Sequence, residues 1–78
     1  MILVAEDDRN LRRVLRAMLV REGYDVAEAS DGEAAAAWLA DRRADALITD
    51  IRMPKMDGLA LFRHVRERFP EVPVILIT

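Results

Sequence analysis

With 78 residues the chain sits near the lower end of what buries enough apolar surface to fold alone, so it holds one small domain or part of one and excludes two. An apolar share of 53% beside 33% charged residues excludes a disordered tail, and the absence of cysteine excludes a disulfide framework or a thiolate metal site, leaving oxygen ligands or the lone His64 for any metal. A net charge of -2, no apolar run near the ~20 residues of a membrane span and a start without a basic leader argue against non-specific DNA binding and membrane insertion, and for a cytoplasmic protein.

Ile2-Leu3-Val4-Ala5 is an unbroken apolar run ending at acidic residues, the pattern of a strand buried on both faces of a parallel sheet. Leu11, Val14, Leu15, Met18 and Leu19 then recur at helical spacing opposite Arg12, Arg13 and Arg16, which predicts an amphipathic helix over residues 9 to 22, its apolar stripe turned to the core, stopped by Gly23. The arginine face is either solvated or meets an acidic partner. Residues 24 to 29 mix polar and apolar positions, which suits an edge strand. Ser30 and Glu33 have the spacing of a capping box ahead of a second helix that reaches about Asp41, with Trp38 and Leu39 as packing residues.

Ala46-Leu47-Ile48-Thr49 forms another buried strand, which delivers Asp50 at its carboxyl end. Leu59, Phe62, Val65 and Phe69 mark a third helix closed by Pro70, on which His64 reads as a solvated residue. Val74 to Ile77 give a fourth strand that ends on Thr78. Strands alternating with helices require right-handed crossovers into a parallel sheet, where ligand sites gather at the carboxyl ends of the strands. Glu6, Asp7, Asp50 and Thr78 all fall at such ends.

Glu6-Asp7-Asp8 crowds three carboxylates directly after a buried strand, which is costly unless a cation compensates them. With Asp50 they make a hard, oxygen-only set suited to Mg²⁺. Asp8 as a helix cap beside solvated loop charges accounts for the same residues, and spacing alone does not choose. Pro54 and Gly58 shape the loop after Asp50, through a fixed φ or through a conformation or close approach that a Cβ would block; plain turn punctuation is the other reading. Met53 and Met56 read as packing residues.

The segment Asp50-Ile51-Arg52-Met53-Pro54-Lys55-Met56-Asp57-Gly58, taken with VAEDD near the start and PVILIT at the end, resembles a response-regulator receiver domain over the length of the chain. DIRMPKMDGLAL and the Pro70-x-x-Pro73-Val74-Ile75 approach to Thr78 resemble receivers of nitrogen-regulation-type transcriptional activators. The resemblance implies an α/β, flavodoxin-like doubly wound parallel sheet of order 2-1-3-4-5, here truncated after strand four, so that residues 1–78 form a receiver lacking the final helix, strand and helix. It implies that Asp50 is the phosphoacceptor for a phosphohistidine, that Asp7, Asp50 and the backbone carbonyl of Arg52 ligate Mg²⁺, that Glu6 reaches the metal through water, and that Thr78 supplies a switch hydroxyl to the phosphoryl group. A lysine that pairs with the phosphoryl group belongs to the part beyond Thr78, and Lys55, in the loop after Asp50, does not match it. The implied partners are a sensor histidine kinase or phosphotransfer protein and an output domain outside this chain that binds DNA or another partner.

The expected activity is thus a Mg²⁺-dependent phosphoacceptor switch and not that of a conventional enzyme. Two alternatives differ in class: a phosphorylation-inert assembly fragment, and an aspartate-nucleophile phosphatase, which usually carries D-x-D on its first strand, a pattern without suitable flanks at residues 6 to 8. The uncharged fourth strand, left as a sheet edge, predicts self-association as a dimer or swapped assembly.

Overall fold

The computed structural model describes residues 1–77, so Thr78 lies outside the described residues. Seven elements alternate as β1 (Ile2–Ala5), α1 (Arg9–Arg21), β2 (Val26–Ala29), α2 (Gly32–Asp41), β3 (Ala46–Asp50), α3 (Gly58–Arg68) and β4 (Val74–Ile77). All three pairings are parallel, and the strand order is β2-β1-β3-β4, the flavodoxin-like order up to the fourth strand. β1, an unbroken apolar run, lies inside the sheet and is fully buried, while the mixed β2 takes an edge.

Strand alternation divides the sheet into two faces with different cover. Leu3, Ala5, Ala29 and Leu47 join Ala35 and Leu39 of α2 and Leu61 and Val65 of α3 in the core, with Val72 and Met53 closing it. The opposite face carries Val4, Ile48 and Ile75, which share one register row. There α1 lies over β1 and β2, tied to Glu28 of β2 by Arg12, and contributes no buried residue.

That last point corrects the expectation of a core-facing apolar stripe. Only Leu15 and Leu19, with Arg12, turn into partial burial, whereas Leu11, Val14 and Met18 are 42%, 54% and 60% exposed. A stripe this wide spans two contact surfaces, and the sheet offers α1 only one of them, since β3 and β4 lie beyond its reach.

Other boundaries shift for local reasons. α2 is capped by Asp31 and not by the Ser30–Glu33 box, because Asp31 accepts the Ala34 amide at 2.7 Å and Gly32 is already helical. β2 begins at Val26, not at Tyr24, which is exposed; only the Asp25 carbonyl joins the ladder, accepting the Ile2 amide at 2.8 Å. Trp38 packs against the core from partial burial under the Arg42 guanidinium, 5.9 Å from its ring centre. His64 is half-buried, its ring 6.0 Å from that of Phe69, and so is less solvated than its helix position predicts. No helix among the described residues is long and apolar enough to cross a membrane.

Candidate functional site

The carboxyl ends of β1 and β3 are neighbours because β1 pairs with β3 through Ala5 and Thr49, and the next residue on each strand is acidic. Glu6, Asp7 and Asp50 each offer a carboxylate oxygen, and these oxygens lie within 4.8 Å of one another. Sequence reasoning named all three. Asp8 stands apart, since its Oδ1 accepts the amides of Asn10 at 2.9 Å and Leu11 at 3.2 Å and thereby caps α1.

The three acids occupy different environments. Asp7 is exposed, Asp50 half-buried, and Glu6 only 1% exposed. Glu6 Oε2 accepts the Asp8 amide at 3.0 Å, while Oε1 is buried without a hydrogen-bond partner among the described residues. Burial raises the Glu6 carboxyl above the usual glutamate range, Asp7 and the Asp50 charge add to the rise, and the Asp8 amide opposes it. An orphaned buried oxygen beside two further carboxylates is the arrangement that a hard cation relieves, and the all-oxygen donor set fits Mg²⁺ in particular.

The loop after β3 is held by contacts of long sequence range. A Cβ on Gly58 would overlap the Asp50 carbonyl, and the Gly58 amide donates to the Ile51 carbonyl at 2.8 Å, so the glycine is required by close approach. Asp57 caps α3 through Ala60 at 2.8 Å. A Cβ on Gly32 would likewise overlap the Met56 carbonyl, which seats the loop on the start of α2. Lys55 adopts a left-handed backbone, φ 59°, and its Nζ lies 3.9 Å from Asp31. The Arg52 amide approaches Asp50 Oδ1 at 3.4 Å, and an open recess lined by Asp7, Ile51, Arg52, Met53, Pro54 and Asp57 adjoins the carboxylates. Met53 and Met56 pack against the core, as their composition predicts.

Thr78 lies outside the described residues; the Ile51 amide donates to the Ile77 carbonyl at 3.1 Å, so the residue after Asp50 is bonded to the last described residue of β4. Sequence reasoning missed Arg12, whose Nη1 donates to the Glu6 carbonyl at 2.8 Å; an arginine one turn into a helix that follows an acidic strand end is the available signal. A separate groove of about 490 Å³, lined by Leu39, Arg42, Arg43, Phe69 and Val72 among others, opens at the amino ends of the strands, away from the carboxylates.

The family model described as the response regulator receiver domain matches residues 2–78. The chain belongs to this family. Response regulator MprA of Mycobacterium avium is 42% identical over 77 residues, which cover 99% of this chain and 34% of that protein. The receiver thus spans about a third of the length of the curated relatives it matches. Among solved structures, TrrA of Thermotoga maritima in complex with Mg²⁺-BeF superposes with a TM-score of 0.93 at 35% identity, covering 96% of this chain and 65% of that one. The receiver domain of NtrX from Brucella abortus has a TM-score of 0.93 at 32% identity, covering 97% and 65%. The receiver domain of a signal transduction histidine kinase from Syntrophus aciditrophicus has a TM-score of 0.94 at 35% identity, covering 99% and 60%.

Proposed function

We propose that this receiver accepts a phosphoryl group on Asp50 from the phosphohistidine of a sensor kinase or phosphotransfer protein, with Mg²⁺ bound by Asp7, Asp50 and the Arg52 carbonyl and reached through water by Glu6. The observation that carries the reading is the convergence of the Glu6, Asp7 and Asp50 oxygens at the ends of adjacent parallel strands, one of them buried and unpaired. Mg²⁺, when bound, supplies the positive charge that offsets repulsion between an anionic acceptor and an anionic phosphoryl group. The chain does the rest: β3 presents the Asp50 carboxylate at the recess, and an Asp50 oxygen forms the new P–O bond as the P–N bond to the kinase histidine breaks and its electron pair returns to the ring nitrogen. Thr78 is assigned the hydroxyl that bonds the phosphoryl oxygen, and residues 1–78 are read as a partial receiver.

Nothing in the identities favours a nitrogen-regulation-type relative such as NtrX over MprA, so the output partner is assigned only as a domain outside this chain, a DNA-binding one included. The site acts in the cytoplasm, where kinases of this class present phosphohistidine. We further propose that the 78-residue chain taken by itself pairs its β4 edge with a second copy, because Ile75 is 52% exposed there and the strand is uncharged.

Incubation with a small phosphodonor and Mg²⁺ followed by mass measurement tests the reading. Gain of one phosphoryl group, lost in Asp50→Asn and slowed in Asp7→Asn, is the expected result. Donor turnover without retention would point to a phosphatase, and no change to an inert fragment.

A further inference from the structure

Arg12 makes three bonds that bear on the acidic corner. Its guanidinium donates through Nη1 to the Glu6 carbonyl at 2.8 Å and through Nε to Glu28 Oε1 at 3.1 Å, and its own backbone amide donates to the Asp8 carbonyl at 2.9 Å. Glu6 and Asp8 are therefore both fastened to one residue of α1, and Asp7 is the residue between them. The Glu6 carbonyl belongs to the same rigid peptide plane as the Asp7 amide, so fixing the oxygen fixes the direction in which Asp7 leaves β1. The residue register of β1 with β2 and β3 ends at Ala5; the Glu6 amide still donates to the Ala29 carbonyl at 3.0 Å, whereas the Glu6 carbonyl turns to Arg12. The Arg12 side chain is 16% exposed, and Arg16, 3.5 Å from Glu28 Oε2, steadies the carboxylate that orients it. A planar guanidinium serves a carboxylate and a carbonyl at once, which a single ammonium does not.

We infer that Arg12 is a positioning residue for the metal site: by holding the Glu6–Asp7 peptide it keeps the Asp7 carboxylate beside Asp50. The inference rests on the metal reading given above. It makes a prediction opposite in sign to plain electrostatics. A cation near a cluster of carboxylates competes with Mg²⁺, so removing its charge by itself strengthens metal binding. Loss of a positioning contact weakens it, by about tenfold for the outer partners of a metal ligand.

Mg²⁺ titration by calorimetry on the wild type, Arg12→Met, Arg12→Lys and Glu28→Gln, with amide hydrogen exchange at Asp7 and Asp8 in metal-free protein, separates the two. We expect affinity to fall about tenfold in Arg12→Met and by less in Arg12→Lys, with faster exchange at both amides. Glu28→Gln should lower thermal stability about as much as Arg12→Met does, since both untie α1 from β2, yet leave affinity within about twofold of wild type because the Glu6 carbonyl keeps its donor. Unchanged or tighter Mg²⁺ binding in a folded Arg12→Met or Arg12→Lys overturns the positioning role alone. A wild type that takes up no Mg²⁺ overturns the metal reading and this inference with it.

Discussion

Glu6 combines the deepest burial in the acidic corner with a carboxylate oxygen that has no hydrogen-bond partner among the described residues, so its charge is expensive to keep in the fold. Its carboxyl is raised above the ordinary glutamate range by burial first, then by Asp7 and Asp50. The sign follows from linkage: a carboxyl raised in the folded state contributes stability that is complete below the unfolded value and is lost as pH rises through the folded one. Asp45, lowered by the chain's amino group, works in the opposite sense, but it is fully exposed and screened. Thermal melts in chelator should therefore show wild-type stability declining from acidic to neutral pH, while Glu6→Gln lacks that part of the slope and is more stable at neutral pH by about 1 kcal/mol. Mg²⁺ should stabilise the wild type more than Glu6→Gln. Superimposable pH slopes in the two proteins would contradict the assignment of Glu6 as the strained acid. The chain order strand-then-acid made Glu6 readable as a ligand candidate, but the different burial of Glu6 and Asp7 was not readable, because it depends on how β2 and α1 close over the strand end.

At the level of elements all seven were legible, the strands as short apolar or mixed runs, α1 and α3 by helical spacing and α2 by its cap signal and run of helix formers, although α3 buries Leu61 with Val65 and leaves Leu59 45% exposed. What escaped it depends on contacts distant in sequence. Ser30 and Asp31 both qualify as caps by composition, and the choice follows from Gly32 having to meet the Met56 carbonyl as the first helical residue, a meeting between segments two dozen positions apart. Asp31→Ala should thus cost about 1 kcal/mol in denaturant unfolding and Ser30→Ala close to nothing; equal losses would restore the box. Gly58 shows the same division. Its need for glycine was legible, but the cause is contact with the Asp50 carbonyl and not a left-handed φ, which the neighbouring Lys55 adopts instead. Gly58→Ala should consequently move the Asp50 backbone and lower stability by about 3 kcal/mol or more.

At the scale of the 78-residue chain, the sheet is covered unevenly. One face is closed by α2 and α3, while on the other Leu11, Val14 and Met18 of α1 and Ile75 of β4 are exposed among the described residues. Even a few hundred Å² of such surface amounts to several kcal/mol at roughly 25 cal/mol per Å², comparable to the whole stability of a domain this small. Sedimentation of the 78-residue chain should find dimers at micromolar concentration that Met18→Glu with Ile75→Lys dissociates into folded monomers. A stable wild-type monomer would show that no second copy is needed. The central place of β1 has a consequence of another kind, in time. Ile2 must find both Val26 and Ala46, 24 and 44 positions away (26 − 2 and 46 − 2), and no two strands are joined by a tight turn. Every pairing waits on the closure of a long loop, so α1 and α2 can flicker into helix within microseconds while the sheet that carries Glu6, Asp7 and Asp50 assembles far more slowly. The acidic corner is then among the last features to exist during folding, and a chain caught early holds its carboxylates apart, with no site for a shared cation.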